Sequence, residues 1–397
     1  MNNQPIKDKV LSALFFIKDK LRVFLPKVKS FVSKNVILLV AILAAVISCF
    51  FTPPSEKYLD YINFRTLCTL LSLLLVTRAM RSVKMFQVMA IKILTKVKTT
   101  RALSFIMVLL PTVFALLITN DIAVLTFVPF SIVMLKIANQ NELAPRIITL
   151  QIIGANLSGM VSPLGNAQNL LLFEWLGVDS SWFLVNLYPV AIIGYFTLFL
   201  ATVIGKNKKI EPISEAKRKI PVHKYIIYTL LFIVCILSVL KVIDIYYTTI
   251  AVVLVVLLLD HKVFKKTNYS IIFLFTAFFI FVGNLSSIPE INAIIQNAVN
   301  GNEYYVTVGL SQLISNTPAT LLVYKFATNP VALACGVNVG KFGTFIASMS
   351  CFMAYSLFSS STQNRLLVKR LMKNLLLFNL LFFVVTFLSG FIVIYLI

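Results

Sequence analysis

Two polar interruptions, Thr119-Asn120-Asp121 and Ser315-Asn316-Thr317, each sit inside a long hydrophobic run. Each is followed by a glycine- and asparagine-rich stretch. The first is Gly154-Ala155-Asn156-Leu157-Ser158-Gly159-Met160-Val161-Ser162, and the second is Gly336-Val337-Asn338-Val339-Gly340-Lys341-Phe342-Gly343-Thr344. A polar backbone break at membrane depth is costly unless it lines a cavity or binds something. The same kind of break twice, in the same order, marks a transporter with internal repeats.

Composition places these runs in a bilayer. Only 13% of the 397 residues are charged and 59% are hydrophobic, whereas soluble domains carry about 25% charged residues. The net charge of +22 is not a nucleic-acid signal, because the cations cluster in 1–34, 78–101, 206–224, 261–266 and 363–374. The short loops between them hold Glu56, Asp60, Asp179, Asp244, Glu290 and Glu303. That is the positive-inside distribution, with the basic segments and the N-terminus cytoplasmic. It places the chain in the plasma (inner) membrane, and no finger, helix-turn-helix or RNP-like pattern supports a nucleic-acid partner. The five cysteines lack metal spacing and read as small buried hydrophobes. His223 and His261 lie in basic loops, which argues against a histidine-based metal or catalytic site.

Residues 1–34 read as a basic amphipathic helix on the inner leaflet, with Val10, Leu14, Ile17, Leu21, Phe24, Val28 and Phe31 on one face. Spans are expected near 35–52 and 62–78, with a second amphipathic segment at 84–98. A hairpin follows over 102–138, then a helix over 146–176 in two pieces, 146–160 and 167–176, parted by the stretch that begins at Gly154, and a span near 187–204. Residues 206–223 form a cytoplasmic linker between the halves, 35–205 and 224–397. The second half offers spans near 224–242, 246–260 and 270–284 and an external segment at 285–303. A hairpin over 304–334, with its second arm at 318–334, precedes a helix over 335–358 broken at Gly336 and a last span at 375–397. The eleven residues 304–314 reach only about 16 Å as a helix, roughly half the hydrocarbon core. That segment must therefore enter, stop at Ser315-Asn316-Thr317 and return. Symmetry extends the same reading to 102–118. The fold expected is an all-α polytopic membrane protein of two inverted repeats, with two re-entrant hairpins and two broken transmembrane helices.

The breaks define the chemistry. Pro318 after Thr317 signals a helix start at mid-membrane, Asn120-Asp121 can cap a helix from 122, and Ser162-Pro163 and Thr344 signal two more. Converging helix N-termini suit an anion, while Asn, Ser and Thr oxygens and unwound carbonyls suit a small cation such as sodium. The glycine stretches match at an offset of 182 residues (Gly154 with Gly336, Asn156 with Asn338, Ser162 with Thr344) and the tips at 196 (Asn120 with Asn316). The plainer alternative is helix-packing glycines and ordinary caps.

The segments from Thr119 to Pro129, from Gly165-Asn166-Ala167 to Leu170, and from Ser311 to Ala319 resemble the ion transporter superfamily over roughly 35–397. The resemblance is closest to the citrate-transporter-like and divalent anion:sodium symporter branch, with arsenite permeases and sodium/proton antiporters as relatives. It implies a homodimer in which hairpins and broken helices move as a transport domain against a scaffold. It also implies one site served by Thr119, Asn120, Gly154, Asn156 and Ser162, with Ser158, Gly165 and Asn166 in the same motifs. Ser315, Asn316, Thr317, Gly336, Asn338 and Thr344 serve the other. Sodium would fall at Thr119, Asn120, Gly154 and Asn156 and at Ser315, Asn316, Gly336 and Asn338.

This chain departs from the pattern in three places. Ala167 replaces a proline, and Lys341 stands where the family usually has glycine. Lys341 either replaces a cation, or pairs with Asp121 or the substrate, or carries its stem to an interface. Asp121 follows the first-tip asparagine as in the proton- and sodium-exchanging relatives, which suits proton coupling; as a plain N-cap it would do neither. The sequence shows no His-Glu-x-x-His, no Gly-x-Ser-x-Gly with a membrane histidine and no paired aspartates, so an intramembrane enzyme is not expected. The expectation is a secondary active transporter of a small anion, a di- or tricarboxylate or similar, moving by alternating access with Na+ or H+ as coupling ion and no other cofactor. The alternative is a sodium/proton antiporter or an arsenite-efflux permease.

Overall fold

The computed structural model describes residues 36–95, 97–205, 207–210 and 221–396. The amphipathic helix expected over 1–34 and most of the linker expected over 206–223 lie outside the described residues. The described chain is helical apart from one isolated β-bridge, between Thr99 and Lys209. That bridge ties the start of the linker to the base of the first hairpin.

The first half runs α1 (Val36–Phe51), α2 (Lys57–Tyr61), α3 (Phe64–Ser82), α4 (Met85–Leu94), α5 (Thr100–Phe114), α6 (Asn120–Ile137), α7 (Ala144–Met160), α8 (Ala167–Leu176) and α9 (Ser180–Val203). The second runs α10 (Val222–Val239), α11 (Ile245–Asp260), α12 (Lys262–Lys266), α13 (Ser270–Ser286) and α14 (Pro289–Val299). It continues with α15 (Glu303–Ile314), α16 (Asn316–Val323), α17 (Pro330–Val339), α18 (Met349–Ser361) and α19 (Arg365–Leu396). Helices α6, α9, α10 and α19 are individually long and apolar enough to cross a bilayer, and α13 with α14 forms one more such unit bent by 105°. The outward faces agree. On α1 the exposed residues include Val40, Leu43, Val46, Ile47 and Phe50, and on α9 they include Val185, Ile192, Ile193 and Phe196. Faces of this kind are costly in water but match lipid. The chain is a multi-pass membrane protein.

Helix α7 is the hub. Every residue of it except Arg146 is buried, and α5, α6, α9 and α19 pack around it. A glutamine in so apolar a setting must find partners. Gln151 donates to Met107 O on α5 and to Ser131 Oγ on α6, both at 2.7 Å, which pins both hairpin arms to α7. Away from this hub α1 packs along α13 and α3 lies against α10 and α11.

Three expectations need correction. The first break falls where expected, between helices ending at 160 and starting at 167, with Gly154 inside α7; Gly336, expected to open the second break, lies instead inside α17. A Cβ on Gly154 would collide with the Thr112 hydroxyl, and one on Gly336 with the Thr307 hydroxyl and the Tyr304 backbone. These glycines permit close approach, and the unwound segments are 161–166 and 340–348. Second, the arm expected over 318–334 ends at Val323. Asn329 accepts from the N–H groups of Val331 and Ala332 (3.1 and 3.0 Å) and starts α17 at Pro330, as an Asn-Pro pair does at a helix N-terminus. Third, no helix begins at Thr344; α18 starts at Met349.

Candidate functional site

Both tips are interrupted as expected. Residues 115–119 separate α5 from α6, and Ser315 alone separates α15 from α16. Ser315 carries φ 74°, a left-handed value that is uncommon without glycine and strained. Its peptide N–H bonds Ser311 O at 3.1 Å, and its hydroxyl reaches Ala347 O at 3.3 Å, so the second break holds the turn in place.

At the first tip the asparagine does not cap. Helix α6 begins at Asn120, with Thr119 at the cap position and no side-chain bond. Asn120 instead donates from Nδ2 to Asn156 Oδ1 on α7 at 2.7 Å and to Ser350 Oγ on α18 at 3.3 Å. Ser350 in turn donates to Asp121 Oδ1 at 2.5 Å. Asn156 reaches Ser348 Oγ at 3.4 Å. The first tip is thus joined to its own broken helix and to the start of α18 in the other half.

The second tip does the converse. Thr317 donates to Gln168 Oε1 on α8 at 3.2 Å. Asn338 on α17 donates to Asn169 Oδ1 at 2.7 Å and accepts from Asn166 Nδ2 at 3.2 Å. Within the first break, Asn166 caps α8 by accepting from Asn169 N at 2.7 Å and also donates to Gly159 O at 2.6 Å. Gly165 lies so close to Gly159 that a Cβ on it would collide with that backbone. Asn169 Nδ2 binds the carbonyls of Gly159, Met160 and Ser162 at 2.9–3.1 Å.

These contacts are reciprocal under the two offsets. Asn156–Ser348 maps onto Asn338–Asn166, and Asp121–Ser350 onto Thr317–Gln168. Ser162 donates to Leu116 O at 2.7 Å, and Thr344 donates to Gln312 O at 3.0 Å, each acceptor four residues before its tip asparagine. Thr112 against Gly154 maps onto Thr307 against Gly336 with a one-residue slip.

The structure therefore gathers Asn120, Asp121, Asn156, Gly165, Asn166, Ser315, Asn316, Thr317 and Asn338 around one buried polar seam. Ser158 turns away to Tyr195, its Oγ 2.8 Å from the ring hydroxyl, and Thr344 is exposed at the rim. Lys341 does not reach an interface. It is 1% exposed, and its Nζ has no hydrogen-bond partner. Sequence reasoning missed Ser348, Ser350, Gln168, Asn169 and Gln312. The 182-residue offset carries Asn166 onto Ser348 and Gln168 onto Ser350, so that signal was present. The first-half oxygens of Thr119, Asn120 and Asn156, all neutral and hard, fit a sodium ion. The second half presents the same kind of oxygens and carries the buried Lys341 in its break.

A membrane-embedded polar seam built from helix ends, within a multi-pass helical fold, belongs to the transporter class. The chain belongs to the citrate transporter family (CitMHS), whose pattern it matches over residues 14–342; this is a family of transporters and not of enzymes. It is similar to the uncharacterized transporter MJ0456 of Methanocaldococcus jannaschii, 29% identical over 75% of this chain and 81% of the relative. It is also similar to the inner membrane protein YbiR of Escherichia coli K12, 26% identical over 79% of this chain and 85% of the relative.

Proposed function

We propose that this chain is a secondary active transporter of a small anion, a di- or tricarboxylate or similar. It is coupled to Na+ or H+ and works by elevator-type alternating access. The observation that carries this reading is the reciprocal cross-linking of two tips and two helix breaks. Each tip is bonded to the broken helix of the opposite half. Such a seam has the chemistry of a two-fold ligand site: neutral oxygens for a cation, and the N-termini of α6, α8, α16 and α18 for an anion. The paired offsets support two inverted repeats, 35–205 and 224–397. Helices α15 and α16, of 12 and 8 residues, reach about 18 and 12 Å, too short to cross singly, which supports a re-entrant second hairpin. In this reading the first-half cation is held by Thr119, Asn120 and Asn156, while Gly154, inside α7, keeps its carbonyl in the helix; the protein is a homodimer in the inner membrane, and its N-terminus is cytoplasmic.

The test is uptake of citrate, succinate, sulfate and arsenite into proteoliposomes under imposed sodium or proton gradients. One anion is expected to accumulate and to show counterflow. Failure of every anion together with sodium/proton exchange would replace this reading by the antiporter, which Asp121 at the first tip favours.

A further inference from the structure

Under the two offsets the residues of the paired contacts are matched by uncharged counterparts, with two exceptions. Asp121 corresponds to Thr317, and Lys341 corresponds to Gly159. The internal symmetry is thus broken once in each half, by one carboxylate and one ammonium. Burial dominates the electrostatics of both groups, each feels the other's charge only as a smaller influence, and they make no direct ion pair: the ion pairs among the described residues join Arg65 to Glu174 and Asp244, and Arg370 to Glu142. Asp121 takes its hydrogen bond from Ser350, and the Lys341 ammonium, fully buried, has no acceptor.

The remaining surroundings of Lys341 are neutral. Gln312 on α15 bonds the carbonyls on both sides of it, Gly340 O and Phe342 O, at 3.0 Å. Gly343 N bonds Asn379 O on α19 at 3.3 Å, and Ser311 abuts Gly340. A buried ammonium with three donors and nothing to accept them is costly, so the position makes sense only if something else answers its charge. The partner carboxylate at a distance answers part of it.

We propose that Lys341 supplies from within the chain the positive charge that a second bound cation would otherwise bring to the second half of the site. Asp121 is its standing counter-charge, and the carried anion is its ligand. This rests on the reading of the seam as the ion and substrate site. A tethered ammonium has the charge of a sodium ion but cannot dissociate, so the carrier needs one fewer cation from solution per anion. It also returns with that charge still aboard.

The experiment uses the purified full-length protein and measures citrate, succinate and sulfate binding by thermal shift over a range of sodium concentrations. From the slope of log apparent Kd against log sodium, the number of sodium ions bound with each anion is read. Lys341→Gly is expected to weaken anion binding at low sodium about tenfold or more, the usual scale for one charge-assisted contact. It should also make the sodium slope more negative by about one, so that high sodium restores affinity. Lys341→Met, which keeps the stem but not the charge, should lose the affinity without the rescue. Unchanged affinity and slope in Lys341→Gly would overturn the proposal while leaving the transporter reading intact.

A second measurement covers the case of a poorly folding variant. Thermal stabilities of Lys341→Met, Asp121→Asn and the double variant form a cycle, and the double variant should lose less than the sum of the singles. Strict additivity would remove Asp121 as the counter-charge and overturn the proposal. Folded wild-type protein that binds none of the three anions would overturn the anion-symport reading and this inference together.

Discussion

Asn166 and Asn338, 172 positions apart in the chain, share a hydrogen bond of 3.2 Å in the buried centre of the molecule. Asn338 Nδ2 also donates to Asn169 at 2.7 Å, so one amide engages both ends of its group with the opposite half. Its pseudo-equivalent, Asn156, likewise accepts from Asn120 and donates to Ser348. Asn338→Leu would leave the amides of Asn166 and Asn169 each short of a partner in a water-poor site. Each such loss costs about 1–3 kcal/mol. Thermal unfolding in detergent should show Asn338→Leu and Asn156→Leu destabilised to a similar degree, and both should abolish uptake. A large effect from only one of them would contradict the symmetry of the seam.

The glycine pairings predict an asymmetry. In α7, Gly154 faces the Thr112 hydroxyl, with the Thr112 Cβ farther off at 3.3 Å from where a Cβ would stand. In α17, Gly336 faces the Thr307 hydroxyl and also the Tyr304 backbone, at 2.7 Å from its oxygen and 2.9 Å from its Cα. Overpacking of this kind costs about 1–3 kcal/mol. Thr112→Ala should rescue most of the stability lost in Gly154→Ala, because a movable side chain is the obstacle. Thr307→Ala should rescue little of the loss in Gly336→Ala, because backbone is. Melting temperatures of the two singles and two doubles decide it.

These glycines also mark the limit of what the sequence disclosed. Periodicity and charge located α1, α3, α6, α8 and the tips within a few residues, because apolar runs bounded by polar breaks are one-dimensional signals. Gly336 reads as a break because its role is a contact with Thr307, tens of residues away, and a glycine that admits a neighbour reads in sequence like one that ends a helix; the contact of Gly154 with Thr112 is hidden for the same reason. Asn120 looked like a cap for the same reason: its side chain faces Asn156 on α7 and not its own helix. Gln168 lies inside the motif from Gly165 to Leu170 without a role of its own there, and Ser350 is legible only as its match at the repeat offset. The interactions across the seam are tertiary, and no local pattern encodes them.

Glu303, at the start of α15, gives a pH prediction. Its Oε1 accepts from Thr328 N at 3.0 Å, Asn329 N at 3.0 Å and Thr328 Oγ1 at 2.9 Å, which fixes the loop leading into α17. Burial alone raises this carboxyl, but the N–H groups of Glu303 itself, Thr328 and Asn329, with the Thr328 hydroxyl, outweigh it and hold it below the usual carboxylate range. A depressed folded value means the stabilisation is fully present above the unfolded value of about 4.3 and fades as pH falls through the folded one. Glu303→Gln keeps an acceptor but no charge. It should be less stable than wild type at pH 7 by about 1 kcal/mol, and the difference should close as pH drops below about 4. A gap that persists unchanged at pH 3 would show that the charge is irrelevant there.

The two tip-to-break bonds should differ in strength although their positions match. Ser350→Ala removes the hydroxyl donor from the Asp121 carboxylate, whereas Thr317→Val removes a neutral hydroxyl from Gln168, whose amide nitrogen is already without a partner. A hydrogen bond to a charged group contributes about 1.5–3 kcal/mol and a neutral one about 0.5–1.5. Ser350→Ala should therefore lower the melting temperature more than Thr317→Val does. It should also loosen the first tip enough to weaken binding of whichever anion the wild type recognises, with Ser350→Thr, which restores a hydroxyl, recovering part of both. Equal losses from Ser350→Ala and Thr317→Val would mean that Asp121 gains nothing from its charge at this contact, and that the first tip is held by Asn120 alone.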